Sequence, residues 1–424
     1  MEPPPPTFRE ACRFWVQLGF VNFGGPTGQI ALMHAEVVEK RRWVSEGRFL
    51  HALNYCMLLP GPEAQQLAIY LGWLLHGVRG GLAAGIFFVL PAAGLLWGLS
   101  WLYVAHGTAP AVAALFYGLK PAVVAVVAAA FVRLGRRALK GPALRAVALA
   151  GFAAIYFLHA PFPAVVFGAA LLGFAGGRLA PRLFPAPETP AEEEAPPRPA
   201  PGAAATLRTL AIGLTAWLGP LALLALALGR HTVVEEGLFF AKAALVTFGG
   251  AYAVLPYVAQ QAVDHYQWLA PGQMIDGLGL AETTPGPLII VLQFVGFVGA
   301  WNHPGALPPL LAATLGAFAA TWATFAPCFL WIFLGAPHIE RLRGGRRAAL
   351  APALAAVTAA VVGVMLSLAV WFGVHVFFPE GKGCDGFAVA LALLAFAVLE
   401  RLKGSPIAVI GGCAAAGLLW RLLA

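Results

Sequence analysis

Four short stretches of glycine and proline interrupt apolar segments of this chain. Phe23-Gly24-Gly25 recurs as Phe248-Gly249-Gly250, and Pro60-Gly61-Pro62 recurs at the same separation as Pro285-Gly286-Pro287. A helix cannot continue unbroken through such a stretch, because proline lacks the amide hydrogen and clashes with the preceding turn. The half-helix after a break presents free amide groups and the positive end of its dipole, and both favour an anion. The four stretches therefore predict a binding site for a small anion.

The residues of the four breaks, with the polar and aromatic side chains beside them, are the candidates for substrate contact. They are Asn22, Phe23, Gly24, Gly25, Gln29, Pro60, Gly61, Pro62, Gln66, Phe248, Gly249, Gly250, Tyr252, Thr283, Thr284, Pro285, Gly286 and Pro287. Ionisable groups inside a membrane are costly and therefore indicate a function. Glu63, Glu282 and Lys242 are accordingly candidates for coupling or gating.

Each kind of candidate also has an ordinary explanation. The glycines and prolines could kink tightly packed helices, and the amide side chains could bond neighbouring helices together. Tyr252 could be a packing residue. The two glutamates could cap half-helices or face water, and the lysine could extend to the membrane surface.

The segment from Phe14 to Pro62 aligns without a gap with the segment 239–287, and 12 positions are identical. The alignment brings two Gly/Pro breaks and a Trp into one register, so we interpret it as an internal duplication. We call the separation from Phe23 to Phe248 the repeat spacing. We predict an N-terminal transporter repeat at 1–178, a disordered Pro- and Glu-rich cytoplasmic linker at 179–206, an extra transmembrane helix at 207–229 and a C-terminal repeat at 230–424.

The composition is that of a membrane protein. Hydrophobic residues make up 60% of the 424-residue chain and charged residues 11%, with a mean hydropathy of +0.79. Soluble globular domains carry roughly 25% charged residues, so the composition excludes that class. Apolar segments of about 20 residues recur along the chain, and each is long enough to cross a bilayer. We predict an all-α polytopic membrane protein.

Charge and motifs exclude several other functions. The net charge of +8 comes from Lys and Arg between the apolar segments rather than from one basic surface, so we expect no nucleic-acid binding. The five cysteines form no CxxC pair, and no GxxxxGK[ST], HExxH or GxSxG motif occurs. The sequence thus predicts no metal site, no cofactor and no catalytic residue. The function that remains after these exclusions is transport coupled to an ion or to an exchanged solute.

Basic residues also predict the topology. They mark two loops, Arg133 to Arg145 and Arg341 to Arg347, and such loops are usually cytoplasmic. Counting segments from these loops puts the N-terminus in the cytoplasm and the C-terminus in the periplasm. The extra helix at 207–229 then gives the second repeat the opposite orientation. Inverted repeats are common in secondary transporters, where two similar halves exchange conformations to give alternating access.

Each repeat is predicted to contain two broken elements followed by four transmembrane helices. We interpret the broken elements as re-entrant hairpins, because half-helices of about 10–15 residues reach only the midplane at 1.5 Å per residue. The alternative is a chain in which every broken element crosses the membrane.

The motifs around the breaks resemble the chromate ion transporter family in its long, two-domain form. In the first half they are Phe23-Gly24-Gly25-Pro26 with Gln29, Arg42-Trp43, the continuous run from Phe49 to Ala68, and Val89-Leu90-Pro91. In the second half they are Phe248 to Tyr252, Trp268-Leu269, and Asp276 to Ile289.

The resemblance implies a protein of the bacterial inner membrane that exports chromate, driven by the proton motive force or by sulfate exchange. Chromate and sulfate are tetrahedral dianions of similar size, so a carrier of sulfate or another oxyanion is an alternative. A membrane-embedded enzyme acting on lipid phosphates and a multi-helix scaffold without a substrate are alternatives of other classes. The expected partners are the dianion, the lipid bilayer and coupling protons, and the sequence leaves a homodimer open.

Overall fold

The computed structural model describes residues 6–23, 25–107, 109–181, 183, 202–248, 250–339, 351–379 and 383–423. Two of the predicted site residues, Gly24 and Gly249, lie outside the described residues. The same is true of most of the predicted linker at 179–206 and of the predicted basic loop from Arg341 to Arg347. Within the described ranges the regular structure is helical, without a strand.

The described residues form sixteen α-helices, two π-helical segments and one short 3-10 turn. The α-helices are α1 (Phe8–Val21), α2 (Gly25–His34), α3 (Glu46–Cys56), α4 (Glu63–His106), α5 (Pro110–Ala138), α6 (Pro142–Tyr156), α7 (Phe162–Leu179), α8 (Ala203–Leu228), α9 (Thr232–Val246), α10 (Ala251–Ala259), α11 (Pro271–Thr283), α12 (Val291–Asn302), α13 (Pro309–Ile339), α14 (Ala351–Phe377), α15 (Gly386–Arg401) and α16 (Pro406–Leu423). The π-helical segments are Ala35–Lys40 and Gln260–His265, and the 3-10 turn is Leu288–Ile290.

Among these helices, seven are long and apolar enough to cross a membrane: α4, α5, α7, α8, α13, α14 and α16. With the composition, they confirm the predicted class, an all-α polytopic membrane protein. The inverted orientation of the repeats and the re-entrant hairpins stay predictions.

Helix boundaries follow local signals in the sequence. Thr7 and Glu10 form a capping box at the start of α1, which pairs two amides that the helix leaves free. Pro110 and Pro142 stand at the first positions of α5 and α6, where the missing amide costs nothing. Asp385 caps α15 by accepting a hydrogen bond from the amide of Ala388 at 3.0 Å.

α4 contains a kink at which two helical parts meet, because the backbone of His76 and Gly77 leaves the helical region, with φ of +62° at the glycine. The start of α8 differs from the sequence prediction. α8 begins at Ala203, before the predicted position 207 and inside the predicted linker. The three alanines at its start explain the extension, since alanine has the highest helix propensity.

Matching positions of the two copies have the same local structure. α1 ends at Val21 and α9 ends at Val246, which is the matching position at the repeat spacing. The π-helical segments, Ala35–Lys40 and Gln260–His265, are related by the same spacing and are equally long. A π-helical turn inside an α-helix is rare, so its occurrence at both places in one register is specific.

The turn after each π-helical segment is repeated as well. Arg42 and Gln267 occupy matching positions and have φ values of +52° and +53°. The next residue, Trp43 or Trp268, donates its amide to the carbonyl of Val37 at 2.8 Å or of Ala262 at 2.7 Å. Residues other than glycine rarely adopt positive φ. The hydrogen bond of the tryptophan amide therefore stabilises a backbone conformation that is unfavourable for Arg42 and Gln267.

The chain divides into two compact units, and each unit contains segments of both predicted repeats. Unit 1 comprises the described residues of Met1–Gly98, Glu188–Ala251 and Thr284–Gly345. Unit 2 comprises those of Leu99–Pro187, Tyr252–Thr283 and Arg346–Ala424. The repeats are therefore units of sequence, whereas each compact unit is assembled from both of them.

Glycines permit close helix packing in both units. In unit 2, Gly118 of α5 and Gly417 of α16 contact each other so closely that a Cβ on Gly417 would overlap the backbone of Gly118. In unit 1, a Cβ on Gly296 of α12 would lie 2.5 Å from the carbonyl oxygen of Gly316 on α13. Small residues at such crossings let helices associate by van der Waals packing in a membrane.

Gly417→Ala is expected to destabilise the protein by about 1–3 kcal/mol, because the added methyl group forces α5 and α16 apart. Gly412→Ala on the same helix is the matched control, since a Cβ there meets no atom within 4 Å. It should leave stability unchanged or raise it by up to about 1 kcal/mol through helix propensity. Thermal unfolding of the purified protein in detergent, followed by size-exclusion chromatography, measures both. Equal melting temperatures for the two variants would contradict the assigned packing.

Candidate functional site

The helix breaks of unit 1 contact each other through a matched pair of backbone hydrogen bonds. The amide of Gly61 donates to the carbonyl oxygen of Thr247 at 2.7 Å. The amide of Gly286 donates to the carbonyl oxygen of Asn22, also at 2.7 Å. Gly286 matches Gly61 at the repeat spacing, and Thr247 matches Asn22. The two bonds are therefore the same interaction, made once in each direction between the copies.

Only glycine fits at the donor positions of these bonds. Gly61 and Gly286 have φ values of +114° and +118°, in the region that residues with a Cβ rarely adopt. A Cβ on Gly61 would lie 3.0 Å from Nε2 of Gln66 and 3.2 Å from Sγ of Cys328. A Cβ on Gly286 would overlap the side chain of Ala92. Backbone conformation and packing thus both require glycine in the Pro-Gly-Pro motifs.

The matched bonds change what these two amides can do. The sequence prediction has the backbone around Gly61 and Gly286 supplying donors to an anion, whereas here both amides already donate to carbonyl groups. The physical reason is that buried amide groups without water must find a protein partner. In this conformation an anion would need other donors.

Asn22 provides such a donor. Its side chain is fully buried, and neither Nδ2 nor Oδ1 has a hydrogen-bond partner among the described residues. Its carbonyl oxygen also accepts a 3.4 Å hydrogen bond from Nε2 of Gln29, and the same Nε2 donates to the carbonyl of Gly286 at 2.6 Å. Buried polar side chains are nearly always paired, so the unpaired amide beside two helix breaks makes Asn22 a candidate ligand residue.

Gln66 and Glu63 lie at the start of α4, directly after the Pro-Gly-Pro motif. Gln66 donates from Nε2 to the carbonyl of Pro60 at 2.7 Å, so its amide group supports the conformation of the break. Glu63 is the first residue of α4. A Cβ on Gly250 would lie 3.9 Å from Oε1 of Glu63, which places this carboxyl group beside the third break.

The Gly-Gly breaks need glycine for a different reason. Gly25 and Gly250 have φ values of +66° and +92°. A Cβ on Gly25 would meet no atom within 4 Å, so the position is open and the constraint is on backbone conformation alone. Of the aromatic candidates beside these breaks, Phe23 is 37% exposed and Phe248 is half-buried.

The remaining predicted site residues are distributed over both units. In unit 2, the hydroxyl of Tyr252 donates to Oε1 of Glu282, and Thr283 donates to the carbonyl of Leu280 at 2.8 Å. In unit 1, Thr284, Pro285, Gly286, Pro287 and Pro62 are buried, and Pro60 is half-buried. Lys242 is exposed on α9, as expected for a lysine that extends to the membrane surface.

Unit 2 also contains a buried ionic cluster outside the predicted site residues. Asp276 on α11 is 4% exposed. Its Oδ2 accepts a hydrogen bond from the hydroxyl of Tyr103 at 3.0 Å and lies 3.5 Å from Nζ of Lys120 on α5. Lys120 is the one charged residue in the apolar segment 110–132, and that isolation is the signal by which the sequence could have indicated the pair.

No three His, Cys, Asp or Glu side chains come together as metal ligands in the part of the chain that the structure describes. The described cysteines are unpaired thiols.

A family model described as chromate transporter matches residues 9–174 and 234–418. The chain belongs to the chromate transporter family. Family members are transport proteins, so this is a multi-pass membrane transporter and not an enzyme. The two matched segments leave out residues 175–233, which contain the predicted linker and α8. This arrangement agrees with the long, two-domain form of the family.

Relatives of the transporter match most of its length. A chromate transport protein of Cupriavidus metallidurans is 29% identical over 417 residues, covering 98% of this chain and 94% of that protein. A chromate transport protein of Pseudomonas aeruginosa is 32% identical over 374 residues, with coverages of 86% and 80%. An uncharacterized transporter of Methanocaldococcus jannaschii is 25% identical over 333 residues, with coverages of 78% and 76%. No solved structure matches the chain.

The substitutions Gly61→Ala and Gly286→Ala are expected to destabilise the transporter by similar amounts. Each substitution places a Cβ on a residue with positive φ and weakens one of the two matched hydrogen bonds. The backbone strain and the weakened hydrogen bond together destabilise the folded state by about 1–3 kcal/mol. Gly94→Ala on α4 is the control, because a Cβ there meets no atom within 4 Å. Melting temperatures of the purified variants test this, and a wild-type value for either Pro-Gly-Pro variant would refute the role given to the bonds.

Proposed function

We propose that this chain is a secondary active transporter that exports chromate, a tetrahedral oxyanion, by alternating access between two inverted repeats. The proposed coupling is to the proton motive force or to exchange with another anion. The observation that carries the proposal is the pairing of Gly61 with Thr247 and of Gly286 with Asn22, beside the buried and unpaired side chain of Asn22. The names of the relatives from Cupriavidus metallidurans and Pseudomonas aeruginosa support chromate as the substrate.

Donors at the breaks suit an oxyanion. In the proposed complex, Nδ2 of Asn22 donates to one oxygen of chromate. The first-turn amides of α2 and α4, which have no partner in their own helices, supply further donors and the positive ends of two helix dipoles. Such donors recognise shape and charge without contacting the central atom, so sulfate would compete for the same position.

The matched hydrogen bonds suit alternating access. Both bonds are 2.7 Å long, so the two repeats are in the same local state at the breaks. We expect the inward-open and outward-open states to arise when one bond opens and the other persists, because two inverted copies then exchange roles. Glu63, Glu282 and Lys242 are the proposed coupling or gating residues, although Lys242 is exposed.

The proposed location is the bacterial inner membrane, with a cytoplasmic N-terminus and a periplasmic C-terminus. Everted membrane vesicles expose the cytoplasmic face of the protein, so export in the cell becomes uptake into the vesicle. Radiolabelled chromate should accumulate in vesicles energised with NADH, and a protonophore and excess sulfate should each reduce the accumulation. Flux of sulfate without any flux of chromate would overturn the substrate and leave a carrier of another oxyanion.

Asn22→Ala is expected to reduce kcat/KM for chromate in these vesicles about tenfold to a hundredfold. The variant loses one hydrogen bond to a charged ligand, which contributes about 1.5–3 kcal/mol. Asn54→Ala is the matched control, since Asn54 is half-buried on α3 outside the four breaks. Both variants should reach the membrane in wild-type amounts on an immunoblot. Unchanged chromate kinetics in Asn22→Ala would remove Asn22 from the site.

A further inference from the structure

Glu236 on α9 is a buried carboxyl group that the four breaks and the predicted coupling residues do not include. Its exposed fraction is 0%, and neither Oε1 nor Oε2 has a hydrogen-bond partner among the described residues. The preceding residue, Glu235, is exposed. Nearly all buried polar atoms in proteins are paired, so a glutamate with two unpaired oxygens requires an explanation.

The surroundings of Glu236 in unit 1 are small and apolar. α9 packs against α8, α12 and α13. α12 and α13 cross at Gly296 and Gly316, and a Cβ on Gly316 would lie 2.7 Å from Oε2 of Glu236. The same Cβ would lie 2.7 Å from Cβ of Ala300. The missing side chain at position 316 thus leaves the space that the carboxyl group occupies.

No cation compensates a charge on Glu236 in the described structure. On α9 itself, Glu235 is an acid and Lys242 is exposed. α12 carries no titratable residue, and the titratable residues of α8 and α13 are Arg208, Cys328 and His338. None of them forms a hydrogen bond with Glu236. An unpaired carboxylate buried among apolar groups is so unfavourable that the group is neutral instead, and Glu236 is therefore protonated in this conformation.

α9 connects this carboxyl group to the breaks. The helix begins at Thr232 and ends at Val246, and the next residue is Thr247, whose carbonyl accepts the hydrogen bond of Gly61. Glu236 and Thr247 are about 16 Å apart along the helix axis, at 1.5 Å per residue. Movement of α9 against α13 would therefore act on both places at once. The matching residue of the first repeat is Ala11, so the duplication provides one such carboxyl group and not two.

We propose that Glu236 is a proton-binding site that couples transport to the proton gradient. The carboxyl group holds one proton while α9 is packed against the crossing of α12 and α13. When the packing opens in the state that faces one side, the proton leaves to water on that side, and in the state that faces the other side the group is reprotonated before the packing closes again. One proton thus crosses for each cycle. This inference rests on the proposed transport function and names the residue that carries its coupling ion.

The test separates exchange of substrate from accumulation of substrate. Full-length protein is reconstituted into liposomes, and radiolabelled chromate counterflow is measured without an ion gradient. Accumulation is then measured with an imposed pH gradient, together with the proton movement that chromate induces, followed by a pH-sensitive dye. Glu236→Gln should keep counterflow within about twofold of the wild-type rate, and lose at least tenfold in gradient-driven accumulation and the dye signal. Glu235→Gln, the adjacent glutamate, should resemble wild type in all three measurements.

The opposite results are equally specific. Proton movement that persists in Glu236→Gln would overturn the proposal. Loss of counterflow together with accumulation would show a structural role and would overturn it too. Wild-type protein without any chromate flux would overturn the proposed function instead. In that case an infrared difference spectrum of wild type against Glu236→Gln still decides the proton site. The carbonyl band of a protonated carboxyl group should be present in wild type and reduced in the variant, and identical spectra would reject protonation of Glu236.

Discussion

Backbone amide and carbonyl groups must be paired wherever water is absent, and this constraint determines how the helix breaks of unit 1 are built. Helices that end at glycine and proline leave backbone amide and carbonyl groups without a partner in their own helix. Here the amide of each Pro-Gly-Pro motif is paired with the carbonyl group that follows α1 or α9 in the other copy. The positive φ of Gly61 and of Gly286 lets each amide point at that carbonyl group. The breaks therefore join the two copies, although each break interrupts a helix.

Much of this arrangement was predictable from the register of the duplication. One repeat spacing relates the helix breaks, and it also relates the π-helical segments and the left-handed turns at Arg42 and Gln267. Those two residues differ in type, so their shared conformation could not be inferred from identity alone. Composition was sufficient for the all-α membrane class, because hydrophobic segments of this length and number have few other solutions.

The partner of each buried group was not predictable, because partners depend on how helices meet. The sequence shows that Gly61 has an amide near a break, but it does not show that the carbonyl of Thr247 already accepts from it. Glu235 and Glu236 are adjacent and identical in type, yet only Glu236 is fully buried. Their difference follows from the rotational position of α9 against α13. The interleaving of the repeats in the two compact units has the same origin in long-range contacts.

The duplication extends to the backbone but not to the carboxyl groups proposed for coupling. The positions that match Glu63 and Glu236 are Leu288 and Ala11, and the position that matches Glu282 is Met57. A symmetric backbone lets two copies adopt the same pair of conformations, and this exchange is what alternating access requires. On the proposed mechanism, the matched glycines therefore provide the conformational change, and the unmatched carboxyl groups determine what that change is coupled to.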